Sequence, residues 1–176
     1  MEDRDNILKS NQSEEIKEKP MEYRKVRYDN GYYYGELKDN KRHGRGKYVW
    51  NSGTVYEGDF IDGNRSGKGF IIWGSGKQEN DKYEGDFENN RINGNGKYYF
   101  SDGNTYEGEF VNDEINGNGT MYYANGNIYE GEFVNGKCCG GGTMYYTNGK
   151  MEVGTWKDDK ALQTKTKRGR KLRKKI

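Results

Sequence analysis

Short runs that alternate aromatic and acidic residues recur along the chain and predict β-strands. In YEGEF, residues 106–110, Tyr106, Gly108 and Phe110 alternate with two glutamates. This is the period-two pattern of a strand with one buried face. The next residues, VNDEINGNG, are typical of turns. TMYYA predicts a second short strand, and the NGN after it predicts a tight hairpin turn. Each such unit is therefore predicted to form one β-hairpin.

The unit recurs with a nearly fixed period. Successive copies are spaced by 23, 27, 23 and 23 residues, and a degenerate sixth copy, EVGTW, begins 23 residues after the fifth. Such periods are typical of repeat proteins. We therefore predict an all-β fold, an elongated single-layer twisted antiparallel meander with one hairpin per 23-residue repeat and about ten to twelve strands. The five full copies begin at Tyr33, Tyr56, Tyr83, Tyr106 and Tyr129.

Glycine shares one side of each predicted strand with the rings. The chain has 27 glycines, and aromatic residues make up 14% of it while aliphatic residues are scarce. A strand glycine often marks a close approach of another group to the backbone, so we expect the rings to lie across the glycines as a thin core. This ring and glycine ladder is predicted to contain Tyr33, Gly35, Leu37, Tyr56, Gly58, Phe60, Tyr83, Gly85, Phe87, Tyr106, Gly108, Phe110, Tyr129, Gly131, Phe133 and Trp156.

The repeated pattern resembles the MORN repeat (membrane occupation and recognition nexus), whose motif is roughly YxGExxxGxxHGxGxxxxxxGxxY. The resemblance covers residue 33 to about residue 160. The motif's histidine occurs only at His43 and is replaced elsewhere by Ser66, Asn93, Asn116 and Cys139. The resemblance implies the same single-layer sheet, together with roles in scaffolding, cytoskeletal or ciliary assembly and membrane–cytoskeleton linkage.

Composition divides the chain into three segments. Residues 1–22 are polar and predict a disordered or short helical lead-in, and residues 23–160 form the repeat domain. Residues 161–176 are strongly basic and predict a disordered tail. Residues 33–156 contain 18 Asp or Glu against 13 Lys or Arg, whereas residues 157–176 contain 2 against 10. The predicted edges of the sheet lie near residues 23–37 and 150–157. We expect the charged Lys157–Lys160 segment to cap the second edge, and end-to-end homodimerisation at the uncapped first edge is a further expectation.

Catalysis, cofactors and metals are not expected. The single histidine, His43, is interpreted as a turn residue, and a metal site needs three or four ligands. No catalytic or nucleotide-binding motif occurs. The adjacent Cys138 and Cys139 are expected to be free thiols in a reducing compartment, with a strained vicinal disulfide as the alternative. We expect a cytoplasmic protein associated with the cytoskeleton or a membrane, or a nuclear one if the basic tail is an address, since no secretory signal or membrane span is recognised.

Carboxylates follow the side of each strand opposite the rings. We interpret this acidic row as a solvated face or, alternatively, as a docking face for a basic partner. Its members are Glu36, Glu57, Asp59, Glu84, Asp86, Glu107, Glu109, Glu130 and Glu132.

Two functions are compared. The first is a protein-interaction scaffold whose ring-lined groove accepts an extended or helical segment of a partner. The groove candidates are Trp50, Trp73, Tyr99, Tyr122, Tyr123 and Tyr145. The alternative is a peripheral membrane protein whose tail binds anionic lipids such as phosphoinositides. The tail could also be a nuclear address or a strap on the acidic face, and nucleic acid is the least expected partner. The tail candidates are Lys165, Lys167, Arg168, Arg170, Lys171, Arg173, Lys174 and Lys175.

Overall fold

The computed structural model describes residues 22–168, which form one open sheet of 13 antiparallel strands. The strands pair in their order along the chain, and this part of the chain contains no helix. The predicted all-β antiparallel meander is confirmed, with more strands than expected. They are β1 (Glu22–Tyr28), β2 (Gly31–Lys38), β3 (Lys41–Trp50), β4 (Val55–Ile61), β5 (Asn64–Ile72), β6 (Lys82–Glu88), β7 (Arg91–Tyr99), β8 (Thr105–Val111), β9 (Glu114–Tyr122), β10 (Ile128–Val134), β11 (Lys137–Tyr145), β12 (Lys150–Lys157) and β13 (Lys160–Arg168).

Two-residue turns join the strands of each hairpin. After β8, Asn112 and Asp113 have φ angles of 51° and 72°. Two consecutive positive φ angles define a type I′ turn, whose twist suits antiparallel strands. The turn is therefore much shorter than the VNDEINGNG predicted from sequence, because β9 already begins at Glu114. The predicted tight turn at NGN is wrong as well, since residues 123–127 form a longer loop between hairpins.

A β-bulge interrupts the hairpin of each full repeat after the central glycine of its first strand. Between β8 and β9 the register shifts between Gly108 and Phe110. Opposite the bulge, Gly117 has a φ of 107°, and an added Cβ would lie 2.0 Å from a carboxylate oxygen of Glu109. That carboxylate accepts a hydrogen bond from the Asn118 backbone amide at 2.6 Å. Glycine at this position therefore serves both the backbone conformation and the space that the carboxylate fills.

The rings form a continuous ladder on one side of the sheet, which we call the ring face. Tyr56 makes edge-to-face contacts with Phe60 of its own repeat and Phe87 of the next, at centroid distances of 5.1 and 5.0 Å. Each such pair contributes about 0.5–1.5 kcal/mol beyond burial. The same contacts continue from Tyr33 to Trp156. The aromatic and aliphatic members of the predicted ladder are all buried.

Glycine makes room for each tyrosine ring. A Cβ on Gly119 would lie 2.3 Å from the hydroxyl oxygen of Tyr106 and 2.5 Å from its ring. The Tyr106 hydroxyl then reaches the Glu109 carbonyl, to which it donates a hydrogen bond at 3.1 Å. A Cβ on Gly108 would meet that same hydroxyl at 2.6 Å and the β9 backbone at 2.5 Å. The tyrosine thus lies flat over two glycines of neighbouring strands.

The sheet extends one strand further at its second end than predicted. Lys160–Arg168 forms β13 and pairs with β12, and a Cβ on Gly154 would lie 1.9 Å from the Gln163 carbonyl oxygen. The prediction of a disordered tail from residue 161 is therefore wrong as far as Arg168. Lys157–Lys160 forms the turn into β13 and not an edge cap, because the segment that follows is hydrogen-bonded to β12 as a further strand.

Both outer strands carry basic residues. Arg24, Lys25 and Arg27 lie on β1, while Lys165 and Lys167 lie on β13. The first edge is thus charged, contrary to expectation, and cationic edge strands disfavour edge-to-edge pairing. End-to-end homodimerisation stays a prediction, but the uncharged first edge on which it was based is not present. The lead-in at residues 1–21 and the tail residues Arg170, Lys171, Arg173, Lys174 and Lys175 lie outside the described residues.

Candidate functional site

The ring face is closed by its own side chains. Tyr33, Tyr56, Tyr83, Tyr106 and Tyr129 are each 0% exposed although no second layer covers the sheet. The following phenylalanine or tryptophan and the glycine beneath each ring account for this burial. The predicted ring-lined groove is therefore absent from residues 22–168, and a ligand cannot reach these rings without opening the ladder.

The six groove candidates lie on opposite faces. Trp50, Trp73 and Tyr123 are partly buried and pack against the buried core. Tyr99, Tyr122 and Tyr145 point to the opposite side, because each directly follows a residue of the ring face and side chains alternate along a strand. The prediction that all six line one groove is wrong, since the candidates were chosen by residue type and not by strand phase.

Tyr123 and Trp73 have structural partners. The hydroxyl of Tyr123 lies 3.5 Å from the buried Cys138 sulfur. Burial is the main cause of the raised pKa of Tyr123, and the hydrogen bond with Cys138 adds to it. Trp73 packs on Tyr98 at a centroid distance of 5.4 Å. Both rings thus belong to the fold.

Two hollows lie on the other side of the sheet, which we call the polar face. A groove of about 900 Å³ crosses the middle of this face, with Gly69, Gly85, Gly96 and Gly108 as its floor. Its walls are the charged Arg45, Glu57, Lys68, Glu84, Lys97 and Glu107, with Asn95 and Phe70 beside them. A second hollow of about 570 Å³ adjoins it and includes Tyr23 and Tyr34. The floor of the groove is therefore strand backbone, because a side chain at Gly69 or Gly96 would point to the ring face and into the ring of Tyr56 or Tyr83.

The acidic row consists of two structurally different sets. Counting the tyrosine of each repeat as position 1, the carboxylates at position 4 accept hydrogen bonds from backbone amides across the bulge. Asp59 bonds the Lys68 amide at 2.9 Å and Asp86 bonds the Asn95 amide at 2.9 Å. Glu36, Glu109 and Glu132 make the same bond. The position 2 carboxylates Glu57, Glu84, Glu107 and Glu130 are exposed and make no such bond to the backbone.

Cations of the first two repeats pair with carboxylates of the second and third. Arg45 pairs with Asp59 at 3.1 Å, and Lys47 pairs with Glu57 at 3.7 Å. Lys68 reaches Asp86 at 2.6 Å. Burial alone would raise the pKa of Asp86, but hydrogen bonds from Lys68 and Asn95 outweigh it and hold the pKa below its usual value.

Later repeats have far fewer cations on this face. Strands β8, β9 and β10 contain no lysine or arginine. The one cation close to their carboxylates is Lys97 of β7, whose Nζ lies 3.3 Å from Glu107, within the described residues. Lys137 at the start of β11 pairs with Asp158. The polar face from β8 to β10 therefore has a net negative charge.

Two arginines insert into the ring face of the first repeats. Arg42 lies over Tyr48 at 5.0 Å and donates to the Gly63 carbonyl at 2.6 Å. Arg65 lies over Phe87 at 5.4 Å and donates to the Asn90 carbonyl. Burial lowers the pKa of Arg65. In the next three repeats the same position is apolar, and is occupied by Ile92, Ile115 and Cys138.

The extra residues between the second and third repeats fold back on the sheet. Asp81 is 7% exposed, and its carboxylate accepts hydrogen bonds from the Tyr98 hydroxyl and the Ser101 amide, both at 2.7 Å. Gln78 donates to the same hydroxyl at 3.3 Å. Burial is the main cause of the raised pKa of Tyr98. The insertion is thus fixed against β7, and sequence reasoning missed Asp81 because its partners lie 17 and 20 residues away.

The histidine and cysteines have structural surroundings. His43 lies in β3 and not in a turn, and its Nδ1 accepts a hydrogen bond from the Asp62 amide at 3.5 Å. In a later repeat the Asn116 side chain accepts the equivalent bond from the Asn135 amide. Cys138 and Cys139 are free thiols, and burial raises the pKa of Cys138 to about 11. Residues 22–168 contain no cluster of three His, Cys, Asp or Glu side chains suited to a metal. The same range holds no helix of the length and apolarity needed to cross a bilayer.

Comparison with known families agrees with this architecture. The MORN repeat profile matches residues 33–55, 56–78, 83–105, 106–128 and 129–151. A comparison with curated proteins found no match. The MORN repeat is a non-catalytic repeat module of the kind used for protein and membrane interactions. Five consecutive matches cover more than half of the sequence, and the chain therefore belongs to the MORN-repeat family.

Proposed function

We propose that this chain is a non-enzymatic scaffold that holds a partner polypeptide on its polar face. The observation that carries the proposal is the exposure of aromatic side chains on that face. Tyr34 is 48% exposed, Tyr122 is 41% exposed and Tyr99 is 36% exposed, whereas the ring-face tyrosines are fully buried. On the ring face, full burial holds for the five repeat tyrosines from Tyr33 to Tyr129, while Tyr28 on the first strand is 37% exposed. Exposed tyrosines are frequent anchors of protein interfaces.

The sheet gives such a surface a fixed spacing. Each hairpin contacts mainly its sequence neighbours, as in other repeat proteins. The ring ladder and the turn bonds, such as Asp113 amide to Ile92 carbonyl at 2.9 Å, lock each hairpin to the next. Side chains at equivalent positions are therefore presented at regular intervals, which suits an extended or helical segment that lies across the strands.

The non-enzymatic part of the proposal rests on the state of the reactive groups. The imidazole of His43 faces a turn amide, and the thiol of Cys138 is buried with a raised pKa. Neither lies in the groove of the polar face. Family roles further support the proposal that the partner links the chain to a cytoskeletal, ciliary or cortical membrane structure.

The lipid-binding alternative is favoured by one feature of β13. Lys165 and Lys167 alternate with Thr164 and Thr166, are exposed, and lie on the polar-face side at the edge of the sheet. The basic residues that follow Arg168 in the sequence extend this cationic end. An anionic leaflet contributes about 1 kcal/mol per lysine or arginine close to its surface.

Affinity capture with quantitative mass spectrometry tests the scaffold. The polar-face variant Y99S/Y122S/Y145S should lose the proteins captured by the wild type, while Tyr28→Ser should keep them. Tyr28 is a matched control because it is 37% exposed but shares its strand side with Val26, which packs against the ring-face core. Equal capture by all three proteins would refute a binding site on the polar face.

Liposome pelleting tests the alternative. Deletion of residues 169–176 should leave the sheet intact, whereas truncation at Lys160 would remove β13 and uncover β12. If the tail tethers the protein, the deletion variant should lose binding to vesicles containing phosphatidylserine at low salt. Undiminished binding would exclude residues 169–176 as the lipid contact.

A further inference from the structure

Three tyrosines form an evenly spaced row across the polar face of the last repeats. The register places Tyr99 opposite Thr105, Thr105 opposite Tyr122, Tyr122 opposite Ile128, and Ile128 opposite Tyr145. We call these five residues the tyrosine stripe. A smaller side chain thus separates each pair of tyrosines, and we call the positions over Thr105 and Ile128 the two slots.

The spacing of the stripe selects among ligand conformations. Neighbouring strands lie about 4.8 Å apart, so successive tyrosines recur about every 9.6 Å. A polyproline II helix has three residues per turn and a rise of about 3.1 Å, and therefore repeats every 9.3 Å or so. Seven residues of an α-helix span about 10.5 Å. Over the two intervals from Tyr99 to Tyr145, the repeat of a polyproline II ligand differs from the tyrosine spacing by about 0.6 Å in total. For an α-helix the same difference is about 1.8 Å.

The chemistry of the slots agrees with the spacing. Aromatic-lined grooves are the usual receptors for proline-rich segments, which are already ordered before binding. Tyr122 stands in the middle of the stripe and is 41% exposed, so its ring borders both slots. The hydroxyl of Tyr145 donates to Glu130 at 2.9 Å, which fixes the outer ring of the second slot.

Charge next to the stripe predicts the flanking residues of the ligand. Glu130 precedes the core glycine of β10 and is exposed beside the second slot, whereas Glu107 beside the first slot is already paired with Lys97. Glu109 and Glu132 lie one row further, and β8, β9 and β10 contain no lysine or arginine. A ligand that brings an arginine or lysine to this surface would complement it. The corresponding row of the first repeats is Tyr32, Val49, Val55 and Ile72, which offers no slot between tyrosines.

We propose that the tyrosine stripe binds a proline-rich segment of a partner protein in the polyproline II conformation. Prolines occupy the two slots on either side of Tyr122, and a basic residue of the ligand pairs with Glu130. The inference rests on the proposed scaffold function and specifies the chemistry of the partner at that same face.

Fluorescence anisotropy with the full chain tests the inference. The probe is a labelled dodecapeptide with proline at every third residue and arginine at both ends. We expect Tyr122→Ala to weaken its binding about tenfold or more, while Tyr122→Phe stays within about twofold because the ring is kept. Tyr34→Ala, on the same face but outside the stripe, should bind as the wild type does. Glu130→Gln should weaken binding and flatten its dependence on salt.

Three results would overturn the inference. They are the absence of binding at millimolar protein, equal binding by wild type and Tyr122→Ala, and tighter binding of an arginine-flanked amphipathic helical peptide than of the proline probe. If the polar-face variant still loses its captured partners in any of these cases, the scaffold proposal stands and only the ligand class is wrong. If capture is also unchanged, both proposals fail.

Discussion

The first two repeats and the last three share one backbone but handle charge differently. In the first two, Arg42 and Arg65 stack on ring-face aromatics, and lysine or arginine pairs with the polar-face carboxylates. In the last three, the stacking position holds Ile92, Ile115 and Cys138, and from β8 to β10 the carboxylates have no cation on their own strands. The comparison separates the rings and glycines, which both regions share, from the ring-face position of Arg42 and the polar-face cations, which differ between them.

The largest expected effect concerns the tyrosines that both regions share. Burial raises the pKa of Tyr33 and of Tyr106 to about 12, with smaller contributions from neighbouring groups. The unfolded state therefore loses these protons first, at about pH 10, and stability must fall as pH rises beyond that value, by about 1.4 kcal/mol per pH unit for each such tyrosine. We expect cooperative alkaline unfolding that ends near pH 12, monitored by tyrosinate absorbance and circular dichroism. A fold that survives with ionised tyrosines would show that the rings are not buried.

The second prediction compares the same glycine in the two regions. Gly69→Val and Gly119→Val should each destabilise by about 3 kcal/mol or more, because overpacking forces the ring of Tyr56 or Tyr106 from its site. Gly136→Asn is the control, since its turn position has open space around it and Asp113 occupies the equivalent position with positive φ. Urea unfolding measures all three. A large loss in only one of the two valine variants would mean that the regions are built differently.

The third prediction addresses the position at which the regions differ. Ile92 is 4% exposed, so Ile92→Ala should cost about 2–4 kcal/mol in unfolding free energy. Arg65→Ile introduces the residue that the later repeats use, and should change stability by less than about 1 kcal/mol because burial of the guanidinium already carries a desolvation cost. Thermal or urea unfolding of both variants measures the two changes in unfolding free energy. A loss as large as that of Ile92→Ala would make Arg65 an essential part of the core.

The smallest effect is expected from the polar-face ion pairs. Lys47 and Glu57 are both well exposed, so Glu57→Gln should change stability by less than about 0.5 kcal/mol. The matched variant Asp59→Asn should cost more, since Asp59 also accepts the Lys68 amide. If Glu57→Gln proves the more damaging of the two, the distinction between position 2 and position 4 carboxylates does not hold.

The fold was largely predictable because the same alternation of aromatic, glycine and acidic residues recurs in every repeat. Period-two alternation in YEGEF and the recurring glycines predict strands and a ring core, which the buried Tyr106 and Phe110 match. The bulge was not predictable, because it depends on how Glu109 and Gly117 meet across two strands. Strand β13 was missed because KALQTKTKR lacks aromatic and glycine signals and is held by main-chain pairing to β12.

The candidate site was only half predictable. Tyr99, Tyr122 and Tyr145 were predicted as contact candidates together with Trp50, Trp73 and Tyr123, although the latter three point to the other face. The alternation of side chains along each strand separates the two sets, because Tyr99, Tyr122 and Tyr145 each directly follow a residue of the ring face. The alignment of the three tyrosines into one row requires the cross-strand register, which turn and loop lengths determine together.

Photo-crosslinking from two matched positions tests the central claim that partners bind the polar face. A photoreactive phenylalanine analogue replaces Tyr122 on the polar face or Tyr28 on the ring-face side, two tyrosines with similar exposures of 41% and 37%. In cells, we expect specific crosslinked proteins from position 122 and none from position 28. Crosslinks from position 28 alone would contradict the account and assign partner binding to the ring face.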